Sequence, residues 1–299
     1  MKLRRVVLIL ALLLATSGCN PGGSLDLPGL EGRARGGDPA ALDKLVGLLG
    51  DPALADRIYP VLLDLGSPAA PALLARVGSR DAREREYVIA ALGTLRVGAA
   101  VAPIAAVLAD KSLERRYVAA RALGELGDPA GVPALIGALD DDNAEVRRTA
   151  TRALARIHRA AVEPLIAALP EAPPRAASGM IRALGDIGDR RALDALLAQA
   201  EGPCRAEALL ALGRLRDPRA EATLIAGLAD AEWQVRMNAA MALGPVGSPR
   251  AAEALRANLD DEVTVVREWA ARSLETLTGM PQLYRNGRGD LVAPENLYR

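Results

Sequence analysis

The stretch "DPAGVPALIGALDDDNAEVRRTATRALA", from Asp128 to Ala155, contains two short runs of helical periodicity separated by a turn. Asp128 is a good helix N-cap. Pro129 at the first helical position loses no hydrogen bond, because the N–H at that position has no partner within a helix. Apolar residues then recur between Val132 and Leu139 at the spacing of one helix face. The stretch therefore predicts a helix that starts at Pro129.

A second helix is predicted directly after the acidic turn "DDDN". Asp142 and Glu145 are three residues apart, which is the spacing of a capping box at a helix start. The apolar face of this second helix extends from Val146 to Ile157. A pair of helices this small cannot bury both of its apolar faces alone, so neighbouring pairs must stack to form a continuous core. The pattern favours an α-solenoid.

The same pattern recurs along the chain, marked by Leu-Gly pairs that return every 28 to 31 residues. The fold class predicted is all-α, a superhelix of about eight helical-hairpin repeats over residues 37–279, the first of them degenerate. The pairs, with two positions in the same register that lack the glycine, are Leu92-Gly93, Leu123-Gly124, Leu154-Ala155, Leu184-Gly185, Leu212-Gly213, Leu243-Gly244 and Leu274-Glu275.

Over residues 37–278 the sequence resembles the HEAT-repeat family, in particular the short repeats of phycobilisome lyases. The resemblance rests on the "DP…VPALIGAL…VRRTATRALA" pattern, with an acid in the turn and an arginine early in the second helix. Because acid and guanidinium recur at the repeat period, we expect a structural ladder in which each arginine bonds turn acids of its own or the next repeat. The ladder residues are Asp110, Arg116, Asp141, Arg147, Asp230, Arg236, Asp261 and Arg267.

The resemblance also implies that the second helices line the concave face of the superhelix. Outward positions on them follow the ladder arginine by one and five residues. They could form a groove for an acidic or mixed peptide, since arginine pairs with carboxylates and methionine adapts to apolar partners. A solvated helix face is the alternative. The candidate partner-binding residues are Tyr117, Arg121, Arg148, Arg152, Ser178, Arg182, Met237, Met241, Glu268 and Arg272.

The N-terminus has the form of an export signal over residues 1–18. A basic start with Lys2, Arg4 and Arg5 precedes an apolar run that is too short to span a bilayer. The following "ATSGCN" is similar to the lipobox of bacterial lipoproteins, which implies lipidation of Cys19, although Thr16 stands where those proteins have an aliphatic residue. A plain secretory signal is the alternative. Asn20 is similar to the sorting position of lipoproteins sent to an outer membrane, so we expect an exported, membrane-anchored protein.

The segments flanking the solenoid have no repeat period. Residues 19–36, rich in Gly and Pro, are predicted to be a flexible tether. Residues 280–299 are predicted to be a C-terminal cap or tail, in which Leu283, Tyr284, Leu297 and Tyr298 cover the last repeat.

The composition argues against catalysis and against nucleic acid as a partner. Removing residues 1–18 from the balanced total of 37 basic and 37 acidic residues leaves 34 and 37, a net charge of −3. No nucleophile–base pair, carboxylate dyad or metal-ligand cluster is present in the sequence, and its single histidine is His158. We expect no cofactor or metal, a monomer, and a non-catalytic scaffold for a protein or peptide partner. The alternatives are a bilin lyase or chaperone and, from HEAT-like glycosylases, a DNA-binding protein.

Overall fold

The structure is a computed structural model, and it describes residues 25–294. Within that range the chain forms one N-terminal helix followed by eight antiparallel helix pairs, which we number as repeats one to eight. This confirms the predicted α-solenoid of about eight repeats. Cys19, the expected export signal, Leu297 and Tyr298 lie outside the described residues.

The first helix, α1, spans Leu27–Arg35, and the two helices of each repeat then follow in order. Repeats one to four are α2 Pro39–Gly47 with α3 Ala55–Leu65, α4 Ala70–Ala75 with α5 Ala82–Thr94, α6 Val101–Ala109 with α7 Tyr117–Leu126, and α8 Val132–Gly137 with α9 Ala144–Ile157. Repeats five to eight are α10 Arg159–Ala168 with α11 Pro174–Ile187, α12 Leu193–Gln199 with α13 Arg205–Leu215, α14 Glu221–Gly227 with α15 Trp233–Val246, and α16 Pro249–Ala257 with α17 Thr264–Thr278.

The first helices of the repeats are shorter than the periodicity predicts, because 3-10 turns replace one or both of their ends. In repeat four the Asp128 side chain accepts a hydrogen bond from the N–H of Ala130, as expected of a cap, but Pro129 opens a 3-10 turn. The nine turns span Leu48–Gly50, Ser67–Ala69, Gly98–Ala100, Pro129–Gly131, Ala138–Asp140, Leu169–Glu171, Arg190–Ala192, Pro218–Ala220 and Asn258–Asp260.

The capping box predicted at Asp142 and Glu145 is wrong. Helix α9 begins at Ala144, and its N-cap is Asn143, whose side chain accepts from the N–H of Glu145. The Glu145 carboxylate pairs with Arg148 instead of reaching back to the cap. An asparagine caps a helix as well as an aspartate does, so the start moves one residue along the chain.

Consecutive second helices stack closely, and the Leu-Gly pairs explain why. Leu123 is fully buried in the core. A Cβ atom added at Gly124 would lie 2.8 Å from both the Cα and the Cβ of Ala153 on the next second helix. That distance is too short for carbon atoms, so the glycine is required by the approach of the helices. Gly93, Gly185 and Gly213 meet Ala122, Ala211 and Ala242 in the same way.

The segment predicted to be a flexible tether contains helix α1, so that prediction is wrong over Leu27–Arg35. The Asp26 side chain accepts a hydrogen bond from the N–H of Gly29 and caps the helix, and a proline occupies its first turn. Leu27, Leu30 and Ala34 are buried against the first repeat. Short apolar spacing and a good cap outweigh the low helix propensity of the glycines, because this helix covers the open end of the core.

The C-terminal segment forms a short antiparallel hairpin against α17. Its strands are β1 Tyr284–Arg285 and β2 Leu291–Val292, with Tyr284 paired to Val292. Tyr284 is buried, as expected of a cap, but Leu283 is 53% exposed, so the prediction that it covers the last repeat is wrong. The hairpin therefore caps the solenoid through Tyr284 and through its backbone.

In the described range no single helix has both the length and the apolar character needed to cross a membrane. One bent pair, Ala55–Leu65 with Ser67–Ala75, meets those two criteria together.

Candidate functional site

The interface between repeats three and four contains a buried arginine–aspartate pair. Arg116 lies at the start of α7, and its Nη1 and Nη2 both donate to the carboxylate of Asp141, in the turn of the next repeat. Nε and Nη1 also donate to the carbonyl oxygens of Leu113 and Leu108. Arg116 is 8% exposed and Asp141 is 3% exposed. This two-pronged geometry links one repeat to the next.

The same pair recurs later in the chain with the same offset of 25 residues. Nε and Nη2 of Arg205 donate to Asp230 at 2.8 and 3.2 Å, and those of Arg236 donate to Asp261 at 2.7 and 3.1 Å. Each carboxylate thus comes from the following repeat. The turn of the arginine's own repeat supplies backbone carbonyls, as when Arg236 Nη1 donates to the oxygen of Asp230.

These contacts lower the pKa of the ladder carboxyl groups. Burial is the largest single influence on Asp141 and Asp261 and opposes ionisation. Hydrogen bonds from Arg116 and Arg236, backbone hydrogen bonds and the positive charge of the arginines together outweigh it and hold both pKa values below the ordinary value of 3.8. For Asp230 the hydrogen bond from Arg205 is the largest cause, and its pKa is also lowered. The ladder aspartates are therefore charged in the folded protein at neutral pH.

The two ends of the ladder differ from its middle. Asp110 bonds the N–H and hydroxyl of Ser112 in its own turn, which together lower its pKa. At the other end the described residues after the helix of Arg267 form the C-terminal hairpin. The Nε of Arg267 donates at 2.7 Å to the carbonyl oxygen of Arg285 and its Nη2 at 3.4 Å to that of Asn286, both in the C-terminal hairpin.

A groove of about 1020 Å³ extends across the second helices α9, α11, α13 and α15. Because four consecutive repeats contribute to it, the groove is a property of the stack and not of one repeat. We call this surface the arginine groove, after the arginines in its lining. Those arginines are Arg147, Arg148, Arg152, Arg175, Arg182 and Arg214, and the acids in the lining are Asp186, Glu207 and Glu232.

Four arginines of the groove pair with acids, and two on α9, Arg147 and Arg152, pair with none among the described residues. At the α9 end Arg148 pairs with Glu145 and Arg175 with Asp142. Arg182 lies 3.3 Å from Glu207, and Arg214 lies 2.5 Å from Asp186. Among the described residues Arg152 has neither a hydrogen bond nor an ion pair, and its side chain is exposed. The lining residues from α9 include no carboxylate. Unpaired positive charge is therefore concentrated at the α9 end.

Five of the ten sequence-predicted partner-binding residues line the arginine groove, and five do not. Those brought together there are Arg148, Arg152, Ser178, Arg182 and Met237. The other five lie elsewhere on the second helices, where four are half-buried and Arg121 pairs with Glu125 at 3.8 Å. These five are Tyr117, Arg121, Met241, Glu268 and Arg272.

Arg272 is held by its own helix. Its Nη2 pairs with Glu268 at 2.6 Å, and its guanidinium lies 5.2 Å from the ring centroid of Trp269. The Nε atom is buried without a hydrogen-bond partner. These contacts make Arg272 a packing residue of the last repeat.

Sequence reasoning missed several lining residues, and one signal could have found two of them. In repeat six the positions one and five after the arginine are Ala206 and Leu210, and both line the groove. Arg214 and Asn238 follow from no such rule. The largest omission is Arg147, which was assigned to the ladder alone but also lines the groove.

Three further side chains could carry chemistry, and each lies at a position explained by the fold. Cys204 is 5% exposed, its Sγ lies 3.5 Å from the carbonyl oxygen of Pro174, and burial raises the pKa of its thiol. His158 ends α9. Trp233 begins α15 and is 39% exposed. Over residues 25–294, no three His, Cys, Asp or Glu side chains are grouped as metal ligands.

Comparison with protein families places this architecture in a known class. The HEAT-repeat model matches residues 70–155, 132–204 and 200–275, which together cover more than half of the sequence. The chain belongs to the HEAT-repeat family. No curated protein sequence matches it.

Among solved structures, a karyopherin shares the fold. The karyopherin Kap121p bound to Nup53p superimposes with a TM-score of 0.58 at 15% identity, over 83% of this chain and 33% of Kap121p. This chain thus spans about one third of that karyopherin. The phycocyanin lyase complex CpcE–CpcF from Nostoc sp. PCC7120 gives 0.37 at 28% identity, over 71% and 89% of the two chains. Human deoxyhypusine hydroxylase gives 0.36 at 24% identity, over 86% and 100%.

Proposed function

We propose that this protein is a non-catalytic scaffold that binds a protein or peptide segment in its arginine groove. The observation that carries the proposal is the groove itself, about 1020 Å³ in volume and lined by side chains from four stacked helices. Helices hold binding groups more rigidly than loops do, so the guanidinium groups are pre-organised for an extended partner. The karyopherin Kap121p, which has the same fold, has been solved bound to Nup53p and to the extreme C-terminus of the protein phosphatase Cdc14p.

The partner is expected to carry acidic residues. Guanidinium groups form two-pronged bonds with carboxylates, and at the α9 end of the groove Arg147 and Arg152 pair with no acid among the described residues. The half-buried Met237 at the other end gives an adaptable apolar contact. A mixed segment, acidic at one end and apolar at the other, fits this lining.

We further propose that the protein is exported and tethered to a membrane through a lipid on Cys19. The support is the basic, apolar and small-residue order of residues 1–18 followed by Cys19. A Cys19→Ala variant grown with a palmitate analogue should lose the label that the wild type carries. Absence of label from the wild type would favour an ordinary secretory signal instead.

The binding proposal is tested by crosslinking in intact cells, with the full-length protein as bait. The variant Arg152→Glu/Arg182→Glu reverses two exposed charges in the groove. The control Arg250→Glu/Arg256→Glu reverses two exposed arginines on α16, a first helix outside the groove. We expect the groove variant to lose a partner that the wild type and the control both retain. Equal capture by all three proteins would contradict the proposal.

A further inference from the structure

The ladder is interrupted between repeats four and five, at the α9 end of the arginine groove. Arg147 lies at the ladder position of α9, but the residue 25 positions later is Ala172 and not an aspartate. Ala172 occupies the backbone position of a ladder aspartate. It follows the 3-10 turn Leu169–Glu171 with φ −75° and ψ 137°, just as Asp141 follows its own turn with φ −65° and ψ 145°. The turn is the same, and only the carboxylate is missing.

The guanidinium of Arg147 is nevertheless held by its own turn as that of Arg236 is. Its Nη1 donates to the carbonyl oxygens of Asp141 and Asp142 at 2.6 and 2.9 Å. Nη1 of Arg236 makes the same pair of bonds to Asp230 and Ala231, at 2.9 and 3.1 Å. The turn of its own repeat therefore orients the Arg147 side chain without any carboxylate.

The other two nitrogens of Arg147 distinguish it from Arg236 and Arg267. Nε and Nη2 of Arg236 bind Asp261, and in Arg267 they bind hairpin carbonyls and the Thr264 hydroxyl. Within residues 25–294, Nε and Nη2 of Arg147 have no hydrogen-bond partner, and the side chain lines the groove. At Arg267 the C-terminal hairpin supplies acceptors where a ladder carboxylate is lacking. At Arg147 the described residues supply none for Nε and Nη2.

We propose that Arg147 is the anchor of the arginine groove and binds an aspartate or glutamate side chain of the partner. The partner's carboxylate takes the place that Asp141 and Asp261 fill at other interfaces. Arg152, which pairs with no acid among the described residues, lines the same groove and favours an acidic segment over a neutral one. This inference rests on the proposed function and specifies the chemistry of its partner.

The first test uses a defined peptide in place of the unknown partner. The probe is a fluorescein-labelled, C-terminally amidated 12-residue peptide of alternating Glu and Ala, compared with its Gln-Ala counterpart by fluorescence polarisation. Arg147→Lys keeps the charge but removes the planar fork, so we expect about tenfold weaker binding of the acidic peptide. The control Arg256→Lys should bind like the wild type. Equal affinity of Arg147→Lys and wild type, or equal binding of both peptides, would overturn the proposal.

The second test restores the missing carboxylate from within the chain. In Ala172→Asp the new side chain should occupy the free side of Arg147, raising the Tm and abolishing binding of the acidic peptide. A raised Tm with unchanged peptide affinity would overturn the proposal, as would an unchanged Tm with unchanged affinity. If the Arg147 variants bind normally while Arg152→Glu/Arg182→Glu loses the cellular partner, the groove function stands and only the anchor assignment fails.

Discussion

The interface between repeats three and four and the interface between repeats four and five are built from the same parts but differ in two of them. The first has Arg116 bound to Asp141, and a glycine, Gly124, where consecutive second helices meet. The second has Ala172 at the position of the aspartate that would bind Arg147, and Ala155 in the register of that glycine. At this second interface both the stacking glycine and the bound carboxylate are absent, and the α9 end of the arginine groove lies there. On the proposed function, a recognition surface arises where a repeat protein omits a structural contact at one interface.

The largest effect that separates the two interfaces should come from Asp141→Ala. It leaves Arg116 buried without its counter-charge, so we expect about 3–5 kcal/mol lower free energy of unfolding, measured by urea denaturation followed by circular dichroism. Asp142→Ala removes an exposed acid from the same turn and should cost less than about 1 kcal/mol. Equal losses in the two variants would show that the ladder pair does not stabilise the interface.

A smaller effect is expected from the stacking glycine. Gly124→Ala places a Cβ atom 2.8 Å from backbone and side-chain atoms of Ala153, which cannot yield without moving a helix. We expect about 1–3 kcal/mol of destabilisation. The reverse change at the looser interface, Ala155→Gly, should cost only about 0.5–1 kcal/mol through helix propensity. Thermal unfolding of both variants checks the difference, and an unaffected Gly124→Ala would contradict the close-stacking account.

The backbone conformation at the end of α9 is a third difference between the two interfaces. Its effect on the free energy of unfolding should be smaller than that of the stacking glycine. His158 has φ 63° and ψ −130°, the conformation that Gly66 adopts with φ 67° and ψ −136° at the end of α3. A side chain is strained there, so His158→Gly should raise the free energy of unfolding by about 1 kcal/mol. The matched change Gly66→His should lower it, and calorimetry measures both. A destabilised His158→Gly would mean that the imidazole makes a compensating contact.

The smallest expected effect is in the pH dependence of stability, which should differ between a ladder aspartate and an exposed aspartate of the same turn. Because the pKa of Asp141 is lower in the folded protein than in the unfolded chain, its stabilisation is complete above about pH 3.8. That stabilisation is lost as the pH falls through the folded-state value. Asp141→Asn should therefore lose less stability than the wild type between about pH 4 and about pH 2. Asp140→Asn, at an exposed position in the same turn, should follow the wild-type curve.

Much of the fold could be predicted from the sequence, because the same residues recur in each repeat for the same structural reasons. Leu123 and Gly124 recur as a pair, since one fills the core and the other lets the next helix approach. Helix starts were less predictable, because Asp142 and Asn143 are both good caps and local geometry chooses between them. Helix α1 was missed because its stability comes from contact with the first repeat and not from its own propensity.

The site was only partly predictable, for a physical reason. The rule that takes the positions one and five after the ladder arginine predicts Arg148 and Arg152, which lie in one repeat and line the groove. It could not tell that Tyr117 and Arg272 lie outside the groove, because the curvature of the stack decides which neighbouring helices open toward solvent. The missing acid at Ala172 is visible in the sequence, but only once the structure shows that Arg116 and Asp141 are partners across repeats.

The C-terminal hairpin and helix α1 close a stack in which each repeat touches its immediate neighbours. Such a molecule behaves mechanically as links in series, so a pull on its two ends loads every interface equally. The link between repeats four and five, which lacks both the buried ion pair and the stacking glycine, should yield first in an optical-tweezers experiment. An acidic segment bound across that interface would raise the force needed to separate repeats four and five. Binding of the segment and mechanical load on the solenoid would then be coupled.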